Sequence, residues 1–295
     1  MIISASRRTD IPCFFAGWFQ NRLDEGYAIT RNPFNPSQLS RVSLRRGDVD
    51  CFVFWTKDPQ PFLPVLKTLD ARGDCYYFQF TLTPYGNDIE RRLRPKAAIE
   101  ETFIKLSETI GKERVLWRYD PVIVNPAVPP EYHKEQFERL CERLRKHTGR
   151  VTLSFVDAYA KIKSPAVRPV AGDVVLDLAA CFGKTAHAYG ITPVSCCEPY
   201  DLSAFGISHG ACIDSALIER LTGRPLTAKA DRNQRNGCSC CAGTDIGAYN
   251  TCQNGCVYCY ASHSAASVQN NLNQHDDHSP LFIGMLKEGD KVKEK

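Results

Sequence analysis

No apolar run in this 295-residue sequence reaches the roughly 18 residues that a membrane-spanning helix needs. Its mean hydropathy is −0.31. Neither sign of charge dominates: 37 Lys and Arg stand against 33 Asp and Glu, a net +4. That balance is too mild to make nucleic acid or an anionic membrane the main partner. No internal repeat and no low-complexity linker is visible. With 43% hydrophobic and 24% charged residues, the composition is that of an ordinary globular chain, which excludes a disordered chain, a collagen and a simple coiled coil. Three catalytic signatures are missing: the G-x-S-x-G elbow, the phosphate loop G-x-x-x-x-G-K-[ST] and the helix H-E-x-x-H. Hydrolase and nucleoside triphosphatase chemistry therefore has no sequence support. An export leader is not expected either. Ser6-Arg7-Arg8 has the look of a twin-arginine signal, but the apolar stretch behind it is short, is broken by Pro12 and runs into Gln20-Asn21-Arg22-Leu23-Asp24-Glu25. The expected compartment is the cytoplasm.

What the sequence has in excess is cysteine, 14 residues against 2 Met. Six of them, Cys238, Cys240, Cys241, Cys252, Cys256 and Cys259, crowd into one short stretch. Disulfide scaffolds are short and secreted because they lack a large core. A chain of this length, read as cytoplasmic, points its clustered cysteines to metal or redox chemistry instead.

Short runs rich in β-branched and aromatic residues predict strands at 2–4, 50–56, 75–83, 114–118, 151–156 and 191–196. Helix-length patterns lie at 12–25, 59–69, 96–110, 131–147, 173–189 and 213–221. Pro12 and Pro59 sit near first turns, and Gly111, Gly149 and Gly190 follow three of the helices. Strand alternating with helix predicts an α/β protein with a mostly parallel sheet: a (β/α) barrel or partial barrel first, a doubly wound sheet as the alternative. The barrel-like domain is expected over 1–222. A Cys-rich segment, 223–295, is expected to pack on the barrel mouth and bind iron–sulfur, with 287–295 as a solvated end.

The sharpest motif is Thr251-Cys252-Gln253-Asn254-Gly255-Cys256-Val257-Tyr258-Cys259-Tyr260, a C-x3-C-x2-C spacing. Three thiolates in eight residues converge on one metal centre if the loop curls, and thiolate ligands select iron–sulfur clusters or zinc. Structural zinc prefers four ligands in paired knuckles. A three-thiolate loop instead leaves one iron of a [4Fe–4S] cluster open to substrate or cofactor. Bare thiols and a structural zinc loop are the alternatives. A second set, Cys196, Cys197, Cys212, Cys238, Cys240 and Cys241, holds enough sulfur to close a further tetrahedral site, whether a second cluster or a zinc ion; a collection of inert thiols is the other reading. Cys13, Cys51, Cys75, Cys141 and Cys181 lie in apolar elements and read as packing. His209 is the one histidine beside a candidate metal site.

Cys252, Cys256 and Cys259, with Tyr258 between them, resemble the signature loop of radical S-adenosylmethionine enzymes. That resemblance implies a [4Fe–4S] cluster whose fourth iron binds S-adenosylmethionine, cleaves it reductively to a 5′-deoxyadenosyl radical and so abstracts hydrogen from substrate. It also implies a full or partial barrel, an electron donor such as a ferredoxin or flavodoxin, and cofactor contacts from Tyr258 and Tyr260. In those enzymes the loop follows the first strand; here it lies near the C-terminus, and no Gly-Gly-Glu segment follows a strand. The whole chain more closely resembles the bacterial family DUF1848, through MIISASRRTDIP (1–12), RNPFNP (31–36), VFWTKDP (53–59), YYFQFTLTPYG (76–86), WRYDP (117–121), HGACID (209–214) and DIGAYNTCQNGCVYCYA (245–261). In that resemblance the second-site cysteines are Cys196, Cys212, Cys238 and Cys240, with Cys197 and Cys241 as extra neighbours.

Barrel active sites sit at the C-terminal ends of strands. Arg7, Arg8 and Asp10, Thr56 and Lys57, Thr81 and Thr83, Arg118, Tyr119 and Asp120, Asp157, and Glu198 all fall there. The expectation is one pocket facing the cluster. Arg7, Arg8 and Arg118 would clamp a carboxylate or phosphate and Lys57 would add charge. Asp10, Asp120 or Glu198 would position a group or move a proton, and Tyr119 would relay one. The competing reading is ion pairs and helix caps, with Asp10 and Asp58 as N-caps. Substrate identity, small molecule or peptide, is not written in these residues.

Overall fold

The structure, a computed structural model, describes residues 1–157, 162, 164–232, 234–235 and 237–295. The chain opens with β1 (Ile2–Ala5), α1 (Ile11–Phe14) and α2 (Ala16–Glu25), followed by an antiparallel hairpin of β2 (Tyr27–Asn32) and β3 (Asn35–Ser43). Strand and helix then alternate: β4 (Cys51–Thr56), α3 (Val65–Arg72), β5 (Tyr76–Thr81), α4 (Lys96–Ile110), β6 (Val115–Val122), α5 (Pro130–Leu144), β7 (Arg150–Phe155), α6 (Gly172–Ala188) and β8 (Thr192–Ser195). The last part holds β9 (Ser208–His209), α7 (Ser215–Thr222), β10 (Thr244–Asp245), α8 (Ala265–Leu272) and β11 (Lys291–Glu294).

Local chemistry explains several boundaries. Asp10 caps α1, its carboxylate accepting from Cys13 N at 3.0 Å. The single helix expected over 12–25 breaks at Phe15 (φ −133°), whose ring packs edge-on against Phe282. At 59–69, Pro59 precedes a short 3-10 turn, and the α-helix proper begins at Val65. Asp58 Oδ1 accepts from Gln60 N at 3.4 Å at the start of that turn, and its carboxylate is also held by Arg94.

The main sheet runs β10-β1-β4-β5-β6-β7-β8-β9, and every neighbouring pair is parallel. The strand order never reverses from β1 to β9, so there is no switch point of the doubly wound kind. The sheet is also not closed into a barrel: β9 and β10 are its two edges. Each edge strand has only two residues. The chain between them crosses one face of the sheet instead of zipping the edges together.

Strand alternation divides the core. Phe52, Phe54, Phe78, Trp117, Tyr119 and Leu153 point to a helical layer that includes Phe19, Phe103, Phe137 and Phe182. The alternate residues Ile2, Cys51, Val53, Tyr77 and Leu116 point the other way, where Leu217 and Ile218 of α7 and Cys212, Cys240 and Cys241 cover them. The segment after 222 thus supplies part of the core as well as β10. The tail expected to be a free solvated end forms β11, which pairs in parallel with β3 in a second, three-stranded sheet, its residues still exposed.

Candidate functional site

From Asp245 the chain turns across the ends of β1, β4 and β5, carrying Cys252, Cys256 and Cys259 with it. Backbone contacts pin this loop to the segment after β5. Glu90 and Cys256 form an antiparallel bridge, Val257 N donates to Ile89 O at 3.0 Å, and Arg92 N donates to Asn254 O at 3.1 Å. Gly255 makes the turn with φ +67°, a left-handed conformation that other residues rarely adopt.

Glu90, fully buried, anchors the loop. It accepts from Lys57 Nζ at 2.7 Å and Thr83 Oγ1 at 2.9 Å, and also from Lys96 Nζ and the Tyr258 hydroxyl. Burial alone would raise this carboxyl; the ammonium groups of Lys57 and Lys96 overrule it and hold it at about 2. Asp10 Oδ2 accepts from Lys57 N at 2.8 Å and from Asn254 Nδ2 at 3.2 Å. Burial pushes Asp10 up to about 6 against the pull of those bonds. The other end of the Asn254 amide, Oδ1, is buried with no hydrogen-bond partner.

The three loop thiols are half-buried. Burial raises Cys252 well above the usual thiol range, and the sulfurs of Cys259 and Cys256 add to it. Burial pushes Cys256 up to about 12, opposed by Lys57 and reinforced by Glu90 and Cys259. The three sulfurs therefore share one electrostatic neighbourhood. Among the described residues, no three His, Cys, Asp or Glu side chains stand in a ready-made coordination sphere.

The second set of cysteines comes from three stretches. Cys196 and Cys197 follow β8, Cys212 follows β9, and Cys238, Cys240 and Cys241 precede β10. Cys196 Sγ lies 3.5 Å from Cys212 Sγ. Cys240 Sγ accepts from the backbone N–H of Cys212 at 3.2 Å and of Ile213 at 3.4 Å. Cys238 and Cys197 lie within electrostatic reach of each other and of Cys240 and Cys196, so five thiols share one neighbourhood. Cys241 turns away to Ile213 O at 3.3 Å. Arg118 Nη1 donates to Cys212 Sγ at 2.8 Å, while its Nη2 holds Asp120. The Cys196 and Cys240 thiols, then Arg118 and Arg7, drive the Cys212 thiol down against its burial.

The remaining strand-end groups divide. Arg118 and Asp120 face the second thiol set, and Lys57 and Asp10 face the loop. Arg7 lies between the two: its guanidinium contacts Asp231 at 3.3 Å and Trp55, in the field of Cys240 and Cys212. Arg8 stacks on Tyr249 and lies 3.9 Å from Asp245. Glu198 accepts from Phe155 N at 2.9 Å, and burial raises it to about 7. Tyr119 is not with them. It lies in the helical core among Trp117, Phe137 and Phe182, its hydroxyl on His133 Nδ1 at 2.8 Å. Thr56 accepts from Asp58 N, Asp157 pairs with Arg235, and His209 is exposed with Ser195 as its partner. Tyr260 donates to Arg7 O at 2.7 Å. An open groove of about 710 Å³ is lined by Phe14, Phe15, Gln253, Leu272 and His275, but by none of the polar strand-end groups. Cys51 and Cys141 are fully buried, as expected of packing thiols, and Cys75 touches Cys51 at 3.4 Å.

Three residues central to this geometry carry no sequence signal of their own. Glu90 and Asn254 are two. Asp245 is the third, accepting from Ser4 Oγ, Ser6 Oγ, Arg7 N and Gly247 N at 2.6–3.0 Å. A profile described as a domain of unknown function, DUF1848, matches residues 2–261. No curated protein and no solved structure matches the chain.

Proposed function

The chain belongs to the DUF1848 family, and we propose that Cys252, Cys256 and Cys259 hold a [4Fe–4S] cluster in a radical S-adenosylmethionine-like enzyme of the cytoplasm. One observation carries this reading. The cysteine loop is late in sequence but early in space, because it follows β10, and β10 is the edge strand beside β1. In sheet order the loop therefore follows the first strand, with β1, β4 and β5 next in line, which is where the resembling enzymes carry theirs.

The donor chemistry supports the same reading. The set is all thiol, and such ligands favour iron–sulfur. The buried Asn254 Oδ1 lacks a partner that a bound group would supply. Lys57, beside Cys256 and over the Tyr258 ring at 5.4 Å, offers positive charge to thiolates. When bound, such a cluster supplies one electron for cleaving S-adenosylmethionine, with a ferredoxin or flavodoxin as the source. Asp10 and Glu90 hold Asn254, Lys57 and Tyr258 in place around the three sulfurs. The sheet around it is an open, partial barrel on this reading, with segment 210–243 as its plug.

Anaerobic reconstitution tests the proposal. The expected product is brown, carries iron and acid-labile sulfide, and when reduced gives an electron paramagnetic resonance spectrum that S-adenosylmethionine perturbs. It also forms 5′-deoxyadenosine. A cluster that ignores S-adenosylmethionine would reduce the protein to an electron carrier or sensor. A Cys256→Ala chain with its full iron content would overturn the ligand assignment.

A further inference from the structure

We propose that Cys196, Cys212, Cys238 and Cys240 bind a single tetrahedral metal ion of the zinc class, separate from the Cys252–Cys259 loop and independent of the reading given to that loop. Sulfur spacing separates the two sites. Four thiolates on one zinc, each at about 2.3 Å, stand about 3.8 Å from one another along the tetrahedron's edges. Cys196 and Cys212 already sit at 3.5 Å, Cys240 Sγ lies 3.2 Å from the backbone N of Cys212, and Cys238 is two residues before Cys240. A cubane cluster ligates each thiolate to a different iron, which keeps the sulfurs well out of contact. The Cys196–Cys212 distance of 3.5 Å therefore fits two ligands of one ion and does not fit two irons of a cubane; binding would draw the Cys238 and Cys240 thiols in to complete the sphere.

The surroundings match that charge. Four thiolates and a divalent ion leave a net −2, and two guanidinium groups face it. Arg118 donates directly to Cys212 Sγ at 2.8 Å, and Arg7 feels the charge of Cys240 and Cys212. The backbone N–H groups of Cys212 and Ile213 both point at Cys240 Sγ, the kind of outer-shell bond that orients a metal-binding thiolate. Cys197 is the fifth thiol of this neighbourhood. Its left-handed backbone (φ +55°) follows Cys196 directly and turns its thiol toward Cys238. The ligands arise after β8, after β9 and before β10, so one ion ties both edges of the open sheet through the segment crossing its face. The ion would add to the bonds that already hold that segment, among them Cys241 N to Ile213 O at 3.1 Å and Ala242 N to Lys229 O at 2.7 Å.

The test uses the full chain carrying Cys252→Ala, Cys256→Ala and Cys259→Ala, so that the loop contributes no metal. Elemental analysis is expected to find about one zinc per chain and no acid-labile sulfide. Cobalt(II) in its place should give the intense visible bands of tetrahedral thiolate coordination. Adding Cys212→Ser and Cys240→Ser should remove the ion, and adding Cys241→Ser should leave it bound. Absence of a tightly held ion, or iron with sulfide at these cysteines, overturns the proposal. Should the Ser variants fail to fold, thiol alkylation of the unsubstituted chain decides. Chelator is expected to expose Cys196, Cys212, Cys238 and Cys240 to label; labelling that chelator does not change would refute the site.

Discussion

At the scale of single residues, Glu90 is the clearest example of function without a motif. Its carboxylate is the shared partner of Lys57, Lys96, Thr83 and Tyr258, and all of these converge only in space. Glu90→Gln would leave two largely buried ammonium groups facing a neutral amide. We expect it to lower stability by about 3 kcal/mol, read as a lower urea midpoint at unchanged m-value. The loop thiols were legible because three donors sit within eight residues. The second set was legible only as a possibility, since its members come from three distant stretches that a sequence cannot bring together. Tyr119 lies apart from the groups beside it in sequence. It neighbours Arg118 and Asp120 in a strand, and the two-residue period places it on the opposite face from both.

At the scale of elements, β6 and α5 are joined through His133. The ring is fully buried, Nε2 donating to Ile123 O at 2.7 Å and Nδ1 accepting from the Tyr119 hydroxyl. Both nitrogens are satisfied by the neutral ring, and burial lowers the pKa although the Ile123 carbonyl favours the charged form. The unfolded chain therefore binds the proton first. The stability held by this histidine is complete above pH of about 6.5 and falls as pH drops from there toward the lower folded value. His133→Gln should flatten that part of a stability–pH curve. On α6, a Cβ at Gly183 would come within 2.0 Å of Phe205 O. Gly183→Ala should destabilise by about 1–3 kcal/mol through overpacking, seen as a lower thermal midpoint. Helix-length patterning located α4 to the residue, and runs of β-branched and aromatic residues located β1, β4, β5, β6, β7 and β8 within a few positions. The hairpin of β2 and β3 escaped because β3 is mostly polar, with only Leu39 and Val42 buried, and β9 and β10 escaped because two residues carry no period.

At the scale of the molecule, the α/β class and the parallel sheet followed from alternation alone. Closure did not, because it depends on two edge strands too short to signal themselves. The expected division at 222 leaves the first part without β10 and without Cys240 and Cys241 over Ile2, Cys51 and Val53. A fragment of residues 1–222 is therefore expected to lack a cooperative unfolding transition by circular dichroism, while the full chain shows one; a sharp melt of the fragment would support the two-domain division.

The pairing of β10 with β1 also sets a timetable. β10 leaves a ribosome long after β1, its partner in the sheet. Until then one flank of the nascent sheet stays bare, and the cysteine loop proposed to hold the cluster comes later still. On that proposal, chains stalled before Cys252 should stay colourless however much iron and sulfide is at hand.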